Sequence, residues 1–147
     1  MTLVHRAQSL YPAMTSGPLY LVDGFNLLHA VVLSGRDRAH WWRASNRERV
    51  AELAGRLGNG EVWVVFDLRG ACEEGDAIAE HAGVQVRYAP SADDYIVALC
   101  AELQGRREVI VVSADRALLD RSRHRGAKRL SPWKFSEQCG SRTSSES

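Results

Sequence analysis

Short apolar runs alternate along this chain with segments whose apolar positions recur every three or four residues. The runs are typical of buried strands, and four of them lie at residues 19–22, 62–66, 84–88 and 109–112. A shorter run at 127–130 is expected to form an edge strand. Strands that alternate with helices imply βαβ crossovers, which build a parallel sheet with helices on both faces. The pattern therefore predicts a single-domain, three-layer α/β/α fold with a mainly parallel sheet, but it does not give the strand order.

Helices are predicted between these runs from periodicity and capping signals. A capping box of Ser45 and Glu48 is expected to start one of them, and Pro132 is expected to start the last, with Trp133 packed against the domain. The other predicted helices are a segment at 26–33, a short segment near 73–81, a helix after Ser91, and a segment at 116–124.

The two ends of the chain lack this alternation. Residues 1–17 are interpreted as a loose leader, 18–138 as the domain, and the serine-rich stretch 139–147 as a disordered tail. No signal peptide is recognisable, and no apolar run approaches the roughly 18 residues that span a membrane. We therefore expect a cytoplasmic protein without membrane contact. The three cysteines form no C-x-x-C pair, which argues against a zinc site or a disulfide framework.

An aspartate follows three of the predicted strands. Asp23 and Asp67 come directly after the first and second runs, and Asp115 lies three residues beyond the run at 109–112. A single aspartate in such a place is more often a helix cap. Because ligands of an open parallel sheet bind beyond the carboxyl ends of its strands, we expect these carboxylates to share one edge. Their convergence favours a functional site.

A fourth acid comes from the S-x-x-D sequence at residues 91–94. Ser91 is the predicted N-cap, which makes Asp94 the N3 residue of a capping box. Asp93 lies three residues before Ile96 and seven before Cys100, so it shares the helix face that turns toward the sheet. We therefore assign Asp93 to the acidic site and Asp94 a supporting role.

Two polar residues near these acids are further supporting candidates. Asn26 is a candidate for orienting a metal-bound water or holding Asp23, and equally for capping a helix. Ser113 is a candidate for contacting a phosphate, although capping the helix that follows is slightly favoured.

Four carboxylates at one edge repel each other, by about 4 kcal/mol for a pair 4 Å apart at an effective dielectric constant of 20. Raised pKa values or a divalent cation relieve this repulsion. Oxygen ligands without a Cys/His cluster favour Mg²⁺ or Mn²⁺ over zinc, and such ions suit phosphodiester hydrolysis. The predicted catalytic residues and metal ligands are therefore Asp23, Asp67, Asp93 and Asp115.

At these residues the chain resembles the NYN/YacP-like branch of the PIN-domain ribonucleases. The resemblance implies a PIN-like fold, endonucleolytic metal-dependent cleavage of RNA, and catalytic roles for the same four aspartates. The chain departs from the family pattern at Asp94, where Ser is frequent, and the stretch 36–49 does not align. The matching segments are 19–29 (LYLVDGFNLLH), 64–70 (VVFDLRG), 91–96 (SADDYI), 109–130 (VIVVSADRALLDRSRHRGAKRL) and 131–135 (SPWKF).

RNA is the expected partner, together with the ribosome or other RNA-processing proteins, and the protein is expected to be a monomer or homodimer. Because the formal net charge is only +1, affinity for RNA has to come from local clusters of charge. A weaker candidate cluster surrounds Trp41 and Trp42. The stronger cluster predicts RNA-binding roles for Arg116, Arg121, Arg123, Arg125, Lys128 and Arg129.

Other classes of protein fit less well. The glycine-rich nucleotide-binding motifs are missing from the sequence, and no lysine is placed as a receiver domain requires. A haloacid-dehalogenase-type phosphatase needs D-x-D after the first strand, whereas two residues separate Asp23 from Asn26. The open alternative is a non-catalytic RNA-binding or partner-binding module with the same fold.

Overall fold

The computed structural model describes residues 17–33, 41–58, 60–68 and 80–146. The predicted leader up to residue 16 and most of the predicted helix near 73–81 lie outside these ranges. Of that helix, only Glu80 and His81 are described, and they form a strand. None of the described helices is long and apolar enough to cross a membrane.

The described strands form one six-stranded sheet. In chain order they are β1 (Leu19–Asp23), β2 (Glu61–Asp67), β3 (Glu80–His81), β4 (Val84–Ala89), β5 (Val109–Val112) and β6 (Lys128–Leu130). Their order across the sheet is β3-β4-β2-β1-β5-β6. All neighbouring strands are parallel except β3 and β4, so the mainly parallel α/β architecture is confirmed.

Five helices of the described residues lie against the sheet. They are α1 (Gly24–Leu27), which continues as a π-helical turn (Leu28–Val32), α2 (Ala44–Ala54), α3 (Ala92–Leu103), α4 (Arg116–His124) and α5 (Pro132–Glu146).

Each face of the sheet has its own apolar core. Tyr20 and Val22 of β1 pack with residues of α1, α2 and α5, such as Phe135. Leu19 and Leu21 pack with residues of α3 and α4 on the other face. A strand buried on both faces reads as a continuous apolar run, which is why the sequence predicts β1 well.

The junction between β1 and α1 requires a glycine. A Cβ atom added to Gly24 would lie 2.5 Å from ring atoms of Phe66, which is completely buried. Glycine is therefore needed here because α1 packs tightly against β2.

Three sequence-based expectations differ from the structure. The capping box is wrong, because α2 begins at Ala44 with Arg43 as N-cap, so Ser45 already lies inside the helix. Trp133 is 53% exposed instead of packed against the domain. Helix α5 continues to Glu146 through the stretch expected to be disordered, and Cys139 is buried in the core beside α2.

Candidate active site

The acidic residues at the strand ends point to the face of the sheet that α3 and α4 cover. Side chains alternate between faces along a strand, and Leu21 and Val65 belong to the core on that face. Asp23 and Asp67 each follow two residues later, so they project toward the same helices. Ser113 keeps this alternation with Val111 of β5.

The strand register brings these positions to one edge. Asp23 lies beside Val65 of β2, two residues before Asp67. On its other side, Val22 pairs with Val112, so Ser113 follows at the level of Asp23. The three polar side chains are therefore neighbours at the carboxyl end of the sheet.

Ser113 connects two of the predicted catalytic residues. Its completely buried hydroxyl donates a hydrogen bond to Oδ2 of Asp23 over 3.2 Å and accepts one from the backbone N–H of Asp115 over 3.0 Å. It does not cap α4, whose N-cap is Asp115. Ser113 thus fixes the position of the Asp23 carboxylate relative to the start of α4.

Asn26 contacts both Asp23, through its backbone N–H, and the loop after β5, through its side chain. Its side-chain oxygen accepts a hydrogen bond from the backbone N–H of Ala114 over 2.8 Å. This contact holds the loop between β5 and α4 against α1, on the other side of Asp23. Sequence analysis could not find this contact because 88 residues separate its partners.

Burial and negative neighbours raise the pKa of Asp23 to about 7. Loss of hydration is the largest cause, and the charge of Asp93 is the next; Asp115 adds a smaller repulsion. The Ser113 hydroxyl and the backbone N–H of Asn26 oppose the rise. In the metal-free protein, the negative charge of ionised Asp23 is therefore not balanced by nearby positive charge.

The pKa of Asp93 is also raised, by partial burial first and then by Asp115 and Asp67. Arg121 acts in the opposite direction. Each of the four aspartates thus raises the pKa of another member of the group, or has its own pKa raised by one. The fold therefore brings all four to one edge.

Asp67 and Asp115 also hold helix starts. Oδ1 of Asp67 accepts a hydrogen bond from the N–H of Ala92, the first residue of α3, over 3.0 Å. Oδ1 of Asp115 caps α4 by accepting the N–H groups of Ala117 and Leu118. Both aspartates therefore have the helix-capping role that aspartates at such positions commonly have. These bonds use only one carboxylate oxygen of each residue.

Asp94 turns away from this group. Its backbone N–H donates to the N-cap Ser91 over 3.1 Å, as the capping prediction required. Its 71% exposed side chain pairs with Arg121 over 2.9 Å. The structure therefore separates the two adjacent aspartates as helical geometry predicts.

The donor set fits a hard divalent cation bound with water. All the donors are carboxylate oxygens, which Mg²⁺ and Mn²⁺ prefer, and the cation would supply the positive charge that Asp23 and Asp93 lack. Within the described ranges, no three His, Cys, Asp or Glu side chains form a group that could hold a metal ion. Mg²⁺ commonly takes only one or two protein carboxylates and keeps several waters. Direct ligation by all four aspartates stays a prediction.

The basic residues of the stronger cluster are all exposed around α4 and β6. Arg121 is paired with Asp94, and Lys128 with Glu108 over 3.0 Å. Exposed pairs of this kind contribute little to stability, so the side chains stay available to phosphate groups.

Two described members of the weaker cluster, which consists of Arg36, Arg38, Arg43, Arg47 and Arg49 around Trp41 and Trp42, are part of the domain's packing. Arg47 is buried, and its Nε donates a hydrogen bond to the Tyr88 hydroxyl over 3.0 Å. Trp41 packs edge-on against Phe25, with ring centres 5.1 Å apart. Arg47 and Trp41 therefore contribute to packing within the domain, whereas Arg43, Arg49 and Trp42 are exposed.

Comparison with known proteins places the chain in a family. The model of the YacP-like NYN domain matches the chain over residues 20–146. The chain belongs to this family. The resemblance drawn from the sequence is thus confirmed, and the YacP-like NYN family is nuclease-like. No match was found among curated proteins.

Solved structures of Rae1 (YacP) from Bacillus subtilis share the fold of this YacP-like NYN domain. One superposes with a TM-score of 0.72 at 20% identity, covering 87% of this chain and 76% of the other. Its W164L mutant gives a TM-score of 0.71 at 20% identity, covering 87% and 78%. At this identity the likeness shows the fold alone.

Proposed function

We propose that this YacP-like NYN domain is a metal-dependent ribonuclease that cleaves RNA internally at its acidic edge. The observation that carries the proposal is the gathering of Asp67, Asp93 and Asp115 around the partly buried Asp23. Burying a carboxylate among other carboxylates is costly unless a cation compensates it. Membership of a nuclease-like family supports the same conclusion.

Asp23 and Asp93 are the residues that would hold Mg²⁺ or Mn²⁺, with Asp67 and Asp115 next to them. When bound, the cation would stabilise the negative charge that develops on the phosphodiester. It would also lower the pKa of water at the site. The chain itself positions the acids: Ser113 holds Asp23, and Asn26 holds the loop that carries Asp115. Asp67 joins the end of β2 to the start of α3.

Exposed basic residues next to this edge support RNA as the substrate. Arg116 and Arg121 lie on α4, whose N-cap is Asp115, and Arg129 lies on the edge strand β6. Lys and Arg near an acidic site counter the charge of the phosphate backbone. A cytoplasmic location, contact with the ribosome or other RNA-processing proteins, and a monomeric or homodimeric state belong to this proposal as expectations.

The test is cleavage of labelled single-stranded and structured RNA with Mn²⁺, with Mg²⁺ and with a chelator. We expect cleavage with either metal, none with the chelator, and loss of activity in Asp23→Asn. Asp120→Asn is the matched control, because Asp120 is an exposed acid on α4 outside the described acidic group.

The rival function is a non-catalytic RNA-binding or partner-binding module. It is favoured by the helix-capping bonds that already occupy one oxygen each of Asp67 and Asp115. RNA binding without cleavage in any metal would establish this function and overturn the nuclease proposal.

A further inference from the structure

A groove lies beside the acidic edge, on the side of β6. It has a volume of about 460 Å³, within the range of ligand sites. Its lining residues come from the loop after β5, from α4, from β6 and from the start of α5, and they include Ser113, Arg129, Trp133 and Lys134.

Trp133 gives this groove an aromatic surface. The side chain is 53% exposed, whereas Phe135, two residues later in α5, is completely buried. The segment thus anchors α5 through Phe135 and presents the indole of Trp133 to solvent. An exposed aromatic ring is the surface on which unpaired bases stack in single-stranded nucleic-acid sites.

Two cations accompany the ring. Arg129 and Lys134 line the groove and are exposed. Within the described part of the chain, neither forms a salt bridge with an acid. They are therefore placed to bind phosphate groups of an RNA strand whose base contacts Trp133.

The groove and the acidic edge share a wall. Ser113 lines the groove, and its hydroxyl is hydrogen-bonded to Asp23. An RNA strand whose phosphodiester lies at Asp23 would therefore have a neighbouring nucleotide within reach of the groove.

We propose that this groove binds one unpaired nucleotide of the RNA next to the cleaved bond, with its base stacked on Trp133 and its backbone paired with Arg129 and Lys134. The proposal rests on the ribonuclease function and specifies its substrate as single-stranded RNA. Bases in a duplex are stacked on one another and do not offer a free face to a side chain.

The test is the affinity for a short fluorescent oligouridine in the presence of a chelator, where binding is separate from cleavage. Trp133→Ala should weaken binding by about tenfold or more, because base stacking contributes that much per base. Trp133→Phe should keep most of the affinity. Trp133→Phe thus serves as the matched control, since it keeps an aromatic ring at the same exposed position.

The contribution of Arg129 and Lys134 is measured by the salt dependence of RNA binding. Removing Arg129 and Lys134 together should flatten the slope of log affinity against log salt by about 1.4, at about 0.7 per phosphate contact in a single strand. Arg106→Ala should leave the slope unchanged, because this exposed arginine lies between α3 and β5, at the opposite end of the sheet.

Failure of this inference is distinguishable from failure of the ribonuclease function. If the parent protein binds oligouridine and Trp133→Ala binds it equally well, the groove is not a nucleotide site, whatever the cleavage assay shows. A self-association lost in Trp133→Ala with unchanged RNA affinity would assign the groove to a second copy and overturn the inference. A parent protein that neither binds nor cleaves RNA would overturn both proposals.

Discussion

The hydroxyl of Ser113 lies between two acids, donating a hydrogen bond to Asp23 over 3.2 Å and accepting one from the Asp115 backbone over 3.0 Å. The bond to Asp23 lowers the pKa of that carboxyl against the effects of burial and of Asp93. Ser113 therefore helps to keep Asp23 ionised, the form that a cation requires.

Ser113→Ala should move the rise of ribonuclease activity with pH to higher pH, because Asp23 loses a hydrogen bond that favours its charged form. It should also cost about 1–3 kcal/mol of stability, since the N–H of Asp115 loses its acceptor. The measurement is kcat/KM against pH. Ser91→Ala is the control: it removes the α3 N-cap at a cost of about 0.5–2 kcal/mol, but it should leave the pH profile in place.

Asp23→Asn should make the metal-free protein more stable at neutral pH. The folded-state pKa of about 7 lies above the ordinary value of 3.8, so the folded chain holds a proton that the unfolded chain has lost. Stability of the parent should therefore fall as pH rises from about 4 to about 7, by on the order of 4 kcal/mol, and then level off.

Urea unfolding in chelator measures this difference. The two proteins should have similar stability near pH 4, and Asp23→Asn should be the more stable one above pH 7. Identical pH dependence in the two proteins would show that Asp23 is not held in this environment.

Adjacent aspartates on α3 should differ sharply in their effect on cleavage. Asp93→Asn removes a carboxylate coupled to Asp67 and Asp115 and should lower kcat by orders of magnitude with the fold intact. Asp94→Asn removes only an exposed ion pair with Arg121, worth less than about 1 kcal/mol of stability. Equal losses of kcat in the two variants would contradict this assignment.

Gly24→Ala should destabilise the domain by about 1–3 kcal/mol, because the new Cβ would collide with the buried ring of Phe66. Thermal unfolding measures the effect. Gly140→Ala serves as the control, since Gly140 sits inside α5 and a Cβ atom added there would have no neighbouring atom within 4 Å. That substitution should stabilise by about 0.5–1 kcal/mol, and a similar gain in Gly24→Ala would show that α1 does not pack closely on β2.

Local patterns in the sequence were sufficient to predict the central strands and the edge of the sheet where the acids lie. Strands β1, β2 and β5 are buried on both faces, so their sequences are almost wholly apolar up to a polar residue, which ends β1 and β2 and directly follows β5. The face of α3 that carries Asp93 could be derived because helical spacing relates it to Ile96 and Cys100.

Contacts between distant residues could not be predicted in this way. The strand order, the bond from Asn26 to Ala114 and the pairing of Arg47 with Tyr88 depend on the assembled domain. The exposure of Trp133 was missed for a related reason. Its neighbour Phe135 supplies the buried anchor of α5, and both aromatic residues look alike in a hydrophobic pattern.

Anomalous diffraction from a crystal soaked in MnCl₂ tests the central claim most directly. We predict a manganese peak at the carboxyl edge of the sheet, bound by Asp23 and Asp93 and by water, and no such peak in Asp23→Asn. A parent crystal with no manganese at that edge, or with a peak that persists unchanged in Asp23→Asn, would contradict the proposed metal-dependent site.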